Sequence, residues 1–211
     1  MALNLEEIKK YLYPEEFNSY LSLMKIFENN KYSKSNITLF YPGCGADVVN
    51  PLLFLDILLD WKNTRAITLI YADTSSIAPM FIGETVDKIT GVKNVVKFIS
   101  EDEAHISFTI NNCRITLVYI LADVLQKLPQ ILDKGFDIYF ERAFEIFRAD
   151  EAMFIRYVLE HVNKNGLLIS DCGFCRQDML KKYGFVDFGP KKLPSELGLY
   201  NTLKIYKKEK D

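Results

Sequence analysis

The sequence predicts an α/β fold, a mostly parallel sheet covered by helices on both faces, and three observations carry that reading. Apolar, β-type runs alternate with helix-type stretches through residue 171. The first two runs, Ile37-Thr38-Leu39-Phe40 and Ile67 to Ala72, flank the turn Tyr41-Pro42-Gly43-Cys44-Gly45-Ala46-Asp47 and a helix opening at Asn50-Pro51. Two closing runs, Phe185 to Phe188 and Leu199 to Lys207, follow Gly184.

The elements follow in order. Over the first thirty residues the pattern is helical: Asn4 followed by Glu7 has the form of a capping box, and Pro14-Glu15-Glu16 opens a second helix with proline and acids in its first turn. Leu21, Met24, Ile26 and Phe27 give that helix an apolar face. Then come a strand over 37–41, a helix from Asn50 to about Trp61, a strand over 66–72 and a helix from about Ala78 to Thr90, which Gly91 stops. His105 to Ile110 alternates, Asn111-Asn112 can supply the positive φ angles of a tight hairpin, and Cys113 to Ile120 is rich in β-branched residues. This β-hairpin, whose second strand ends at Leu121-Ala122-Asp123, places an extra strand at the sheet edge. Phe136 to Phe140 is the next strand, followed by a helix over about 150–162. Asn165-Gly166 turns into the strand Leu167 to Asp171, and the helix Gln177 to Lys182 leads to the closing pair. No internal repeat, low-complexity tract or linker interrupts the chain. The expected organisation is a helical extension over 1–34 and one α/β domain over 35–211.

Composition sets the outer bounds. A chain of 211 residues has room for one full core, and 49% hydrophobic with 26% charged residues is ordinary for a globular protein. A net charge of −2 gives no electrostatic footprint for nucleic acid, and the pairs Lys181-Lys182, Lys191-Lys192 and Lys207-Lys208 read as solvated surface. Met1 to Glu7 lacks the pattern of a secretion signal. The most apolar stretch, Pro51 to Leu59, is short and carries Asp56, so it cannot span a bilayer. Four cysteines in such a chain read as reduced thiols, and a cytoplasmic location is expected.

Strand, glycine turn, helix, strand and terminal acid form the layout that binds nucleoside-bearing ligands in open α/β sheets. The glycines allow close backbone approach, the helix N-terminus offers free N–H groups, and Asp73 can accept both hydroxyl protons of a ribose. Three further segments extend the pattern: Leu69 to Asp73 followed by Thr74-Ser75; Leu121-Ala122-Asp123-Val124 with Leu128-Pro129; and Asn163-Lys164-Asn165-Gly166-Leu167. Taken with Gly43-Cys44-Gly45, these resemble the class I S-adenosylmethionine-dependent methyltransferase family over roughly residues 35–207. The resemblance implies a single three-layer Rossmann-like domain: a seven-stranded, mostly parallel sheet with an antiparallel last strand, to which the edge hairpin strand and N-terminal helices are added. It implies S-adenosylmethionine as cofactor, held by Tyr41, Pro42, Gly43, Cys44, Gly45, Asp47, Asp73, Thr74, Asp123 and Val124. Two departures stand out. Tyr41-Pro42 replaces the family's acid, and Asp47 replaces its third glycine, where a carboxylate could bond the ligand's ammonium or repel its carboxylate.

Methyl transfer is a displacement at a sulfonium, in which alignment does most of the work and a base serves some acceptors. Glu141 is the best-placed acid for that role, and its other reading is a structural pair with Arg142 or a neighbour. Tyr11, Tyr13, Phe17 and Tyr20 either roof an acceptor pocket or pack an added helical layer. The Asn/Asp-Pro-Pro-aromatic signature of amino-methylating nucleic-acid enzymes is absent after the fourth strand; the acceptor itself is not legible, with small molecule, protein and nucleic acid in falling order of preference. A catalytically inactive ligand-binding or scaffold domain of the same fold is the alternative.

Other classes fit less well. A nicotinamide or flavin site wants a third glycine where Val48 stands, and no Gly-Lys-Ser/Thr loop is present. Cys172-Gly173-Phe174-Cys175 lies between a strand and a helix, where a thiol pKa could be lowered, yet the surrounding elements do not suit a thioredoxin-like unit. His105 and His161 anchor no nucleophilic triad, and no Gly-x-Ser-x-Gly elbow exists.

Overall fold

The computed structural model describes residues 3–29, 31–131, 134–144, 151–171, 173–189 and 204–210. Its strands are β1 (Asn36–Pro42), β2 (Ala66–Asp73), β3 (Val95–Ser100), β4 (Glu103–Ile110), β5 (Cys113–Leu121), β6 (Phe136–Glu141), β7 (Val162–Ser170), β8 (Phe185–Asp187) and β9 (Lys204–Lys208). Among the described residues these form one nine-stranded sheet in the order β3-β4-β5-β2-β1-β6-β7-β9-β8. The central β5, β2, β1, β6 and β7 are parallel; β3, β4 and β9 run antiparallel to their neighbours. Parallel strands need crossovers, and the helices supply them. They are α1 (Leu5–Ile8), α2 (Pro14–Ile26), α3 (Val49–Leu58), α4 (Ala78–Thr90), α5 (Val124–Ile131), α6 (Ala152–His161) and α7 (Gln177–Lys182).

Side chains alternate across the strands into two cores. Leu39, Tyr41, Leu69 and Tyr71 face the layer of α1 to α4, while Phe40, Ala72, Tyr139 and Leu168 face the layer of α5 to α7. The N-terminal helices thus share the main core: Phe17 and Tyr20 are buried, and the Tyr20 hydroxyl donates to Asp56 Oδ2 on α3 at 2.5 Å. Tyr11 and Tyr13 are 40% and 70% exposed, so only half of that aromatic set packs. No helix among the described residues is long and apolar enough to cross a membrane.

The mostly parallel sheet, the hairpin and the antiparallel last strand match the expectation. Asn111 and Asn112 carry φ of 49° and 62°, the left-handed pair a two-residue turn demands. Four differences have physical causes. The edge carries two added strands, because β3 is exposed on both faces and shows no alternation. Helix α5 was not foreseen, since Pro129 sits inside it. The apolar face of α3 ends at Leu58, short of Trp61. Finally, β7 begins before Asn165-Gly166; Asn165, at φ 63°, marks an irregularity inside the strand, where the pairing with β6 shifts between Phe136 and Ile138. Of the expected run 199–207, residues 199–203 lie outside the described set.

Lys208 closes the far side. Its buried Nζ donates to the carbonyls of Leu159 at 2.9 Å, Glu160 at 3.3 Å and Val162 at 2.9 Å, which α6 leaves open at its C-terminus. Lys208→Met strands those carbonyls in an apolar site and should cost about 1–3 kcal/mol in urea unfolding. A loss within error of zero would mean that water replaces the ammonium.

Candidate functional site

The strands β1, β2, β5 and β6 all end at one edge of the sheet, beside the point where the chain switches from one face to the other. That is where open α/β sheets leave a crevice. The turn after β1 enters it with Gly43 at φ 60° and Gly45 at φ 52°, and the Gly43 amide donates to Ala72 O at 2.8 Å. A Cβ on Gly43 would lie 2.2 Å from the ring of Phe144, so this glycine serves both the turn and the packing. The space over Gly45 is open: nothing lies within 4 Å of the position its Cβ would take.

Asp73 at the tip of β2 binds the turn. Its Oδ2 accepts from Gly45 N at 2.8 Å and its Oδ1 from Ser75 N at 3.0 Å. The carboxylate that the sequence offers to a ribose thus already holds two protein donors. Asp123 caps α5 in the same manner, accepting from Leu125 N at 3.1 Å and Gln126 Nε2 at 2.7 Å. Between them lies a cleft of about 300 Å³, lined among others by Gly43, Asp73, Thr74, Asp123, Val124 and Phe144. This volume sits at the lower end for small-ligand sites.

The other expected ligand contacts fall beneath the turn rather than in the cleft. Tyr41 and Pro42 are buried at the end of β1. The Tyr41 hydroxyl donates to Asp47 Oδ2 at 3.1 Å. Asp47 also accepts Asn50 N at 3.1 Å and both contacts of Asn50 Nδ2 at 3.2 Å, so it caps α3. The two roles expected for Asp47 toward a ligand give way to this one, because its oxygens hold the protein's own donors. Cys44 is buried, and burial first, then the charges of Asp73 and Asp47, pushes its thiol up, which makes it a poor nucleophile. Nearby, the buried Tyr71 hydroxyl has no hydrogen-bond partner among the described residues.

Glu141 is corrected most. It is fully buried, and its oxygens accept from Tyr139 OH at 2.8 Å and Ser170 Oγ at 2.6 Å. It is not among the residues that line the cleft, and its oxygens are held by these two hydroxyls instead. Nor does it pair with Arg142. That residue faces the opposite layer, 3.1 Å from Glu16 Oε1 on α2. Cys172 lies outside the described residues; Cys175 is half-buried just before α7.

Phe144 and the Arg142–Glu16 pair escaped the sequence reading. Phe144 follows Ala143, whose φ is 54° and whose amide donates to Asp171 Oδ2 at 2.8 Å. That bend swings Phe144 over Gly43, and no periodic pattern signals it.

The sheet order and the crevice at the switch point define a Rossmann-like domain. No family model and no curated protein matches the chain. Among solved structures it is similar to a Listeria monocytogenes protein assigned to the class I S-adenosylmethionine-dependent methyltransferases, at 13% identity and TM-score 0.48, over 94% of this chain and 63% of that one. A Pyrococcus furiosus methyltransferase aligns at 10% identity and TM-score 0.46, covering 94% and 87% of the two chains. An S-adenosylmethionine-dependent methyltransferase from Thiobacillus denitrificans, in complex with S-adenosyl-L-homocysteine, aligns at 11% and 0.41, covering 84% and 51%. The chain thus spans under two thirds of the first of these. At such identities the likeness is one of fold.

Burial raises the pKa of Asp47, against the opposing pull of Asn50 and Arg142. The folded state therefore holds this proton to higher pH than the unfolded chain, and the ionised group costs stability above both ranges; below the unfolded range, near pH 4, that cost is absent. Relative to wild type, Asp47→Asn should gain stability at neutral pH and lose that gain as the pH falls to about 4. Unfolding curves of both proteins across this range decide it; a pH-independent gap would place the folded pKa at its unfolded value.

Proposed function

We propose that the chain binds S-adenosylmethionine with its adenosine portion in the cleft and transfers the methyl group to a small-molecule acceptor. The observation that carries this reading is the state of Asp73. A carboxylate offers about four lone-pair sites. Two are taken by the Gly45 and Ser75 amides, which hold the group at the cleft lip and leave capacity for a ribose diol. Val124 and Ala122 offer an apolar flank for the base, and the open space over Gly45 admits the ribose side of the ligand. Bound there, S-adenosylmethionine would supply an electrophilic methyl group to the acceptor's lone pair, the electrons of its carbon–sulfur bond remaining on sulfur. The chain's own part is to hold the donor in line. Free thiols at Cys44, Cys113 and Cys175 are in keeping with a cytoplasmic setting.

A second reading, ligand binding without transfer, draws on Glu141, whose oxygens are held by two hydroxyls; among the described residues the charged groups lining the cleft are Asp73, which binds the turn, and Asp123, which caps α5. Transfer without a base suits acceptors that are already nucleophilic, such as a thiolate or a neutral amine.

Calorimetric titration with S-adenosylmethionine is the primary test, and S-adenosylhomocysteine should bind as well. Asp73→Ala should weaken binding by about 1.5–3 kcal/mol, roughly ten- to a hundredfold. It should also lower stability, because the Gly45 and Ser75 amides lose their acceptor. No binding by the wild type would overturn the proposal, and equal affinities would move the ligand elsewhere.

Gly45→Val should abolish binding while the protein still folds. A branched side chain at φ 52° is strained by about 1–2 kcal/mol and fills the open space. Retained affinity would show that the ligand does not pass over the turn.

A further inference from the structure

We infer that the β3 edge of the sheet is a homodimer interface, in which two copies of this chain pair their β3 strands antiparallel. The inference stands apart from the cleft. Among the described residues, β3 pairs only with β4, and its outer edge is open. The backbone groups at that edge follow from the hairpin. Ile110 and Cys113 flank its two-residue turn and form the hydrogen-bonded pair, so alternate β4 residues, Ser107 and His105, turn their amides and carbonyls toward β3. They meet Val95 and Lys97. Val96 and Phe98 therefore direct their N–H and C=O groups outward, where a further strand would sit.

Large apolar side chains gather around that edge, on the scale of patches that often serve a function. Ile77 just before α4, Met80 and Phe81 on it, and Val95, Phe98 and Ile99 on β3 are each 52–63% exposed. At the roughly 150–250 Å² that a large side chain can bury, they offer on the order of 500 Å² per copy. A standard interface takes about 800 Å² per partner, and the strand backbone with its polar flanks makes up the rest. The edge is held ready: Asn94 Nδ2 donates to Gly83 O at 2.5 Å and to Asp87 Oδ1 at 2.6 Å, and a Cβ on Gly83 would come within 2.8 Å of Val96. Strand and helix α4 thus form one rigid face.

Charge selects a second copy over an unrelated strand. Lys93 precedes β3, Glu101, Asp102 and Glu103 follow it, and Lys97 lies mid-strand. Antiparallel pairing about a two-fold axis near mid-strand sets the basic end of each copy against the acidic end of the other. With the axis at Lys97, it sets Val96 opposite Phe98 of the second copy and Lys93 opposite Glu101, while the two Lys97 side chains stand opposite each other on the other face, an unfavourable pair that the flanking opposite charges offset. Such an isologous contact closes after two chains, so it yields a dimer rather than a fibre.

Sedimentation velocity and light scattering on the whole chain test this. The wild type should be a dimer whose unfolding temperature rises with concentration. Phe98→Asp, at an exposed position, should sediment as a folded monomer, with its circular dichroism unchanged. Phe81→Glu on α4 should raise the dimer dissociation constant about tenfold or more. A monomeric wild type overturns the proposal, whether or not it takes up an extended peptide at this edge. A dimer unaffected by either substitution overturns it too, by placing the contact elsewhere.

Discussion

The candidate cleft depends on the carboxylate of Asp73. The ladder joining β1 to β2 runs without interruption from Asn36–Ala66 to Pro42–Ala72, and the Gly43 amide adds one more bond, to Ala72 O. Beyond that point the backbone of the turn has no strand to pair with. Asp73 takes over, bonding Gly45 on one side and Ser75 on the other. Charge-assisted bonds to backbone amides are about twice as strong as neutral ones, enough to offset the entropy lost in holding two glycines in left-handed conformations. Gly43 so placed leaves room for Phe144, whose ring packs against Phe154 at 5.6 Å and walls the cleft.

Consecutive residues at the end of β6 serve opposite faces of the sheet. Glu141 turns inward to Tyr139 and Ser170, joining β6 to β7 under α6. Arg142 turns the other way to Glu16, which also accepts the Tyr13 amide at 3.0 Å and so fixes the start of α2. Both carboxylates are nearly inaccessible, and buried acids persist only where donors satisfy them. The N-terminal helices are thereby fastened to the same sheet edge that carries the cleft, with Asp47 and its partners Tyr41 and Asn50 filling the space between.

How much of this was legible in the sequence depended on how local the signal was. The glycine turn, the acid ending β2 and the Asn111-Asn112 hairpin are each encoded within a few residues, and the structure places each where the pattern indicated. Helix α4 could be bounded from its proline and Gly91 alone. The failures are non-local. Glu141 follows a strand at the expected edge, but which face it takes depends on the parity of β6, and Asp137 sits at a register irregularity that a pattern of apolar residues does not show. Asp47 occupies a position that invites a ligand role, yet its short side chain finds Asn50 three residues on before any ligand could. Strand β3 hid because a strand wet on both faces has no period.

The order of strands at the far edge bears on how the molecule is made. Strand β9 lies between β7 and β8, although β8 precedes it in the chain. While the ribosome is still adding residues before 204, β8 has nothing to pair with, and the carbonyls that Lys208 will receive at the end of α6 stay open. The first seven strands can consolidate early, but β8 must wait for β9, and in that interval β7 shows a bare edge to the cell's chaperones.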